Sequence, residues 1–68
     1  MDSEELSNIL IKLNLTQAAA SRLLGYDDRT MRRWTGGERS VPKAIAIILR
    51  LMAAGKVSAN EIIKARLQ

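Results

Sequence analysis

Residues 27–35 read Asp27-Asp28-Arg29-Thr30-Met31-Arg32-Arg33-Trp34-Thr35, and the way this stretch folds decides how the rest of the chain is read. Wound into an α-helix at about 100° per residue, it places Met31 and Trp34 about 60° apart on one side. Arg29, Arg32 and Arg33 spread over roughly the opposite 100°, with Asp28 at their edge. Such a helix has one large aromatic as its anchor and three guanidinium groups pointing outward. Guanidinium donates in a fixed fork that suits phosphates and guanine edges. The stretch therefore predicts a short amphipathic helix whose polar side meets a nucleic acid.

Working outward, turn signals divide the chain into five short helices, with no strand pattern, repeat or low-complexity linker. The first is expected from about Ser3 to Leu13, with Asp2 as cap, Glu5 three residues on, and Leu6, Ile9, Leu10 and Leu13 as its apolar stripe. Asn14 tolerates the left-handed backbone that stops it. Thr16 caps a second helix over residues 17–24, where three alanines allow close approach of a neighbour, and Gly25 supplies the positive φ of a tight corner. Tyr26 follows as turn packing, and Asp27 caps the third helix, its charge favoured at the positive helix end. Gly36-Gly37 breaks that helix. Ser40, as cap, and Pro42, in the first turn, are expected to open a fourth helix that runs to about Ala54 with Ala44, Ile45, Ile48, Leu49 and Met52 inward. Ser58 and Glu61 form a capping box for a last helix through Leu67.

Composition narrows the function classes. A chain of 68 residues holds one small core and leaves no room for a buried catalytic cleft. It contains no cysteine and no histidine, so thiolate metal sites and the usual nucleophile or acid–base constellations cannot be assembled. No enzyme activity, metal or cofactor is expected. No apolar run reaches the ~18–20 residues of a membrane span, and the acidic start (Asp2, Glu4, Glu5) is the wrong flank for a signal peptide, which predicts a soluble, intracellular chain. The net charge is +4, from 11 Lys and Arg against 7 Asp and Glu. It is concentrated at residues 29–43, where Arg29, Arg32, Arg33, Arg39 and Lys43 face only Glu38; a patch of this kind steers a polyanion.

The run Thr16-Gln17, Gly25, Met31, Trp34, Gly37 and Arg39, within LTQAAASRLLGYDDRTMRRWTGGER, resembles the lambda-repressor-like helix-turn-helix family of phage repressors, Cro proteins and small bacterial regulators. The resemblance covers residues 15–42. It implies an all-α, compact five-helix domain over residues 1–68, with motif helices at about 17–24 and 28–35. It also implies sequence-specific binding of double-stranded DNA by a small transcriptional regulator, a repressor by type. Base reading falls to Asp28, Arg29 and Arg33, with Arg32 directed toward either base or backbone. Phosphate binding falls to Gln17 and Arg39, with Lys43 as helper. Two features depart from the family pattern: Ser21 stands where alanine is usual, its hydroxyl able to bond a carbonyl one turn back, and two carboxylates, Asp27 and Asp28, open the third helix.

Each of these residues also has a plainer role. Met31 and Trp34 are expected in the core, Trp34 sealing its helix against the fourth. Thr16 serves as a cap, Gln17 can be a solvated first-turn residue, and Lys56, Lys64 and Arg66 form a wet face. Family members of this kind commonly read two half-sites as two-fold dimers. The expected homodimer surface is the C-terminal region, with Ile62, Ile63 and Leu67 beside Ile47 and Leu51. The same three residues of the last helix can instead dock on the first and fourth helices. The resemblance further implies a cytoplasmic, nucleoid-associated protein of bacterial or phage origin. The alternative from another class is a protein-interaction module such as an antitoxin or an adaptor subunit.

Overall fold

A computed structural model of the chain describes residues 1–67, which form five helices and no strand. They are α1 (Ser3–Lys12), α2 (Gln17–Leu24), α3 (Asp28–Thr35), α4 (Lys43–Ala53) and α5 (Ala59–Arg66). Four begin at a side-chain cap. Asp2 accepts from the Glu5 N–H at 2.7 Å, Thr16 from Ala19 at 3.0 Å, Asp27 from Thr30 at 2.7 Å and Ser58 from Glu61 at 3.2 Å. Ser58 and Glu61 complete the reciprocal capping box.

α4 begins differently from the expectation. Its N-cap is Pro42, with no side-chain bond, and Ser40 lies exposed two residues upstream. A residue before proline is driven toward extended backbone. Val41 therefore cannot enter the helix, and it is buried in the core instead.

The helix ends share one device. Asn14 (φ 57°) and Gly25 (φ 81°) take the left-handed backbone, and the next residue's N–H reaches back five positions. These closures are Leu15 to the Leu10 carbonyl at 2.9 Å and Tyr26 to the Ser21 carbonyl at 2.8 Å. The same six-residue closure ends α3, at Glu38, and α4, at Lys56. Each one satisfies a carbonyl that the helix leaves open and turns the chain sharply.

The core joins Leu6, Ile9 and Leu10 of α1, Ala20 and Leu23 of α2, Met31 and Trp34 of α3, and Ile45, Ala46, Leu49 and Met52 of α4, with Val41 from the preceding loop. Its radius of gyration is 11.0 Å, as expected for a close-packed chain of this length. Ala44, expected inward, is exposed, while Ala46 is buried. The inward stripe leans to the side of α4 carrying Ala46, Ala53 and Arg50 because α1 lies there. Arg50 forms a two-pronged ion pair with Glu5 of α1, at 2.8 and 3.0 Å. Glu5 accordingly faces α4 and does not close a capping box with Asp2. Arg50 holds the Glu5 carboxyl below its usual range.

The α3 backbone lies chiefly along α2 and α1, and Trp34 enters the core that it shares with Ile45, Ala46, Leu49 and Met52 of α4. The loop 36–42 carries α4 onto α1. α5 docks chiefly on α2 rather than on α1 and α4, and it contributes no fully buried residue. None of the described helices is long and apolar enough to cross a membrane.

Candidate nucleic-acid interface

α3 is short, and its two ends are tied down. At its start Asp27 accepts the Thr30 N–H. The Thr30 side chain first and its N–H second, helped by the nearby Arg29 and Arg33 charges, hold the Asp27 carboxyl below its usual range. At its end the Arg33 carbonyl accepts from the Glu38 N–H at 2.9 Å and the Arg39 N–H at 3.3 Å, folding the loop back against the helix. Between these ties Met31 is fully buried and Trp34 is 4% exposed. The Tyr26 ring meets the indole edge-on, with centroids 4.8 Å apart. Tyr26 thus packs the turn as expected while staying partly open to solvent.

With one side of α3 fixed inward, the other presents the arginines. Arg29, Arg32 and Arg33 line one open cleft of about 430 Å³, together with Glu38. Arg29 and Arg32 are exposed and Arg33 is half-buried. Among the described residues the ion pair is Glu5–Arg50, so no carboxylate lies within pairing distance of these three guanidinium groups. The cleft offers up to fifteen N–H donors, at five per guanidinium, on a rigid element, with a single carboxylate beside them.

Asp28 is exposed, but unlike the three arginines its side chain is bonded within the chain. Its Oδ1 accepts from the Ser21 hydroxyl at 2.7 Å, joining the first residue of α3 to α2. The same hydroxyl lies 2.9 Å from the Ala18 carbonyl, the back-bond expected for a serine inside a helix. Ser21 is fully buried, the one polar residue in the core among the described residues.

The three expected phosphate contacts are dispersed. Gln17 is the first residue of α2 and Lys43 the first of α4, both exposed, and Arg39 is exposed in the loop after α3. Arg39 is tied to the end of α3 through its backbone. Lys43 instead borders a separate depression with Met1, Val41, Ala46, Ile47 and Arg50. None of the three lines the arginine cleft.

Three other basic residues have internal partners. Arg66, expected on a wet face, donates from Nη1 to the Arg22 and Leu23 carbonyls, the latter at 3.3 Å, and so closes the C-terminal end of α2. Arg22 Nε donates to the Ala18 carbonyl at 3.3 Å, and Arg50 is held by Glu5. The spacing within a single helix gives no sign of the Arg66 and Arg50 contacts, which cross 44 and 45 residues of chain. A larger depression of about 600 Å³ between α1 and α4 holds Asp2, Glu4, Glu5, Asn8, Lys12 and Arg50. Its charges are mixed, and two of them satisfy each other. The arginine cleft has the more one-sided charge.

Of the expected dimer residues, Ile62 is partly buried against the core. Ile47 (56% exposed), Ile63 (44%) and Leu67 (83%) remain open, as does Leu51 (39%). Compared with known protein families, curated proteins and solved structures, the chain matches none.

Proposed function

We propose that the chain is a lambda-repressor-like helix-turn-helix protein that binds double-stranded DNA sequence-specifically, acting as a small transcriptional repressor with α3 in the major groove. The observation that carries this reading is the cleft of Arg29, Arg32 and Arg33 on a helix anchored by buried Met31 and Trp34. A major groove of about 12 Å admits one α-helix, and an arginine fork on guanine O6 and N7 discriminates bases by ~1–3 kcal/mol. Arg29 and Arg33, with Arg32 beside them, read bases. Gln17, Arg39 and Lys43 hold phosphates around the groove, which fixes register without carrying sequence.

Two copies related by a two-fold axis would address two half-sites, and they would do so through the open apolar side chains of α4 and α5, Ile47, Ile63 and Leu67. The cell compartment that follows from this reading is the bacterial cytoplasm, on the nucleoid. Selection of bound duplexes from a random pool tests the proposal. An inverted repeat should be enriched, Arg29→Ala and Arg33→Ala should lose sequence preference, and Arg39→Ala should weaken all duplexes about equally. Equal losses for all three on cognate and random DNA would reject the division of roles. Tight binding to an acidic protein with no duplex affinity would replace the proposal with an adaptor.

A further inference from the structure

Among candidate base readers, Asp28 is the one whose side chain already has a partner within the chain. Ser21 lies in the interior at the α2–α3 junction with no exposed surface, and a hydroxyl in such a place needs an acceptor. A hydroxyl has one proton, and an ionised carboxylate accepts it more strongly than a carbonyl does. The shorter of its two contacts goes to Asp28, at 2.7 Å against 2.9 Å to Ala18. The residue alongside, Asp27, is occupied in capping α3 through Thr30. The two adjacent carboxylates therefore act on different objects: Asp27 on the helix's own N-terminus, Asp28 on the neighbouring helix.

Met31 and Trp34 anchor the eight-residue helix from one side, while the ties at its two ends run through backbone and cap and do not reach across to α2. The Ser21–Asp28 bond adds a third point, at the opposite end of α3 from Trp34. Roll decides which of the three guanidinium groups points along the axis of the cleft. We infer that Asp28 is a positioning residue that sets the roll of α3 through Ser21, and that it does not read bases. This inference rests on the DNA-binding reading for its consequence, whereas the bond itself belongs to the free protein.

Two measurements separate the possibilities. In free protein, a double-mutant cycle over Ser21→Ala and Asp28→Ala reads the bond directly. Each single variant should lower the folding constant several-fold, and the double variant should fall well short of the product of the two losses. Asp28→Asn keeps an acceptor oxygen and should retain most of the folding constant. Independent losses in the cycle would overturn the interhelix bond.

On DNA, at a temperature where all variants are folded, Asp28→Ala should reduce the ratio of cognate to random affinity several-fold. Asp28→Asn should restore that ratio, bind every duplex somewhat more tightly because one negative charge is gone, and select the same bases at every position. A changed base preference at one position in Asp28→Asn would overturn the inference in favour of base reading. An unchanged ratio in Asp28→Ala would reduce the bond to a purely structural one and also overturn it. A wild-type chain with no affinity for any duplex would defeat the DNA reading and with it the positioning role on DNA. The cycle on free protein would still decide the bond.

Discussion

Salt dependence follows closely from how this structure distributes its basic residues. Of the 11 lysines and arginines, Arg22, Arg50 and Arg66 hold carbonyls or a carboxylate within the chain. Five are both exposed or half-exposed and placed on α3, in the loop after it or at the start of α4: Arg29, Arg32, Arg33, Arg39 and Lys43. If each of the five displaces one counterion, whether its fork ends on a base edge or on a phosphate, log K against log salt has a slope of about −4.5 per protomer, and about −2.7 if only three do. Between 50 and 200 mM salt the affinity of one protomer should then fall by about 40-fold to 500-fold. A two-fold dimer should double the slope, to as much as about −9.

Fluorescence anisotropy on a labelled duplex across that salt range measures it. Arg39→Gln should flatten the slope by about 0.9 per protomer. Arg50→Gln, removing a guanidinium already held by Glu5, should leave the slope unchanged while the helical signal confirms folding. A wild-type slope flatter than about −2, or an Arg50→Gln effect as large as that of Arg39→Gln, would refute this assignment of charges.

Two further outcomes concern stability. Trp34→Ala empties a nearly buried site and removes the Tyr26 edge contact, at a cost of ~3–5 kcal/mol. At ~0.05–0.15 kcal/mol per residue the whole chain holds only about 3–10 kcal/mol, so far-ultraviolet circular dichroism should show the variant largely unfolded or melting far below the parent. A melt within a few degrees of the parent would contradict the anchoring role. Acid should also destabilise the fold. The Glu5 and Asp27 carboxyls both titrate lower in the folded chain than in the unfolded one. Their contribution is present above the ordinary carboxylate range near pH 4 and is lost as pH falls below it. Melting temperature should hold level from pH 7 to 5 and drop below pH ~4, and Glu5→Gln with Asp27→Asn should shrink the drop; an undiminished drop in that double variant would assign the acid sensitivity to other groups.

What the sequence discloses here is mainly local. A cap and the residue it serves are three positions apart, so Asp2, Thr16, Asp27 and Ser58 announce helix starts without knowledge of the rest of the fold. Asn14 and Gly25 do the same for helix ends. The burial of Met31 and Trp34 follows from period alone. Ser40 misled because the steric effect of Pro42 on Val41 outweighs the preference of serine for a cap. Ala44 and Ala46 are indistinguishable by hydropathy and sit symmetrically about Ile45, so the one that faces inward depends on where α1 lies. Arg66 looked solvated because its partners are backbone carbonyls, which no residue pattern marks. Ser21–Asp28 was hidden for a related reason: each residue had a sufficient local reading, as a helix back-bond and as a polar edge.

The same allocation explains why so modest a net charge can still serve a cationic face. Asp2, Asp27 and Glu61 are engaged in helix caps, Glu5 in the Arg50 pair and Asp28 at Ser21. Of the remaining acids, Glu38 alone lines the arginine cleft, its backbone fixed by the Arg33 carbonyl. A carboxylate lining the cleft lowers its attraction for any polyanion while leaving the guanidinium forks as donors. Diffuse attraction and directed hydrogen bonding respond differently to such a charge, because the first depends on the sum of charges and the second on the position of each N–H. Three forks beside one carboxylate therefore favour a ligand that offers well-placed acceptors over one that offers only charge.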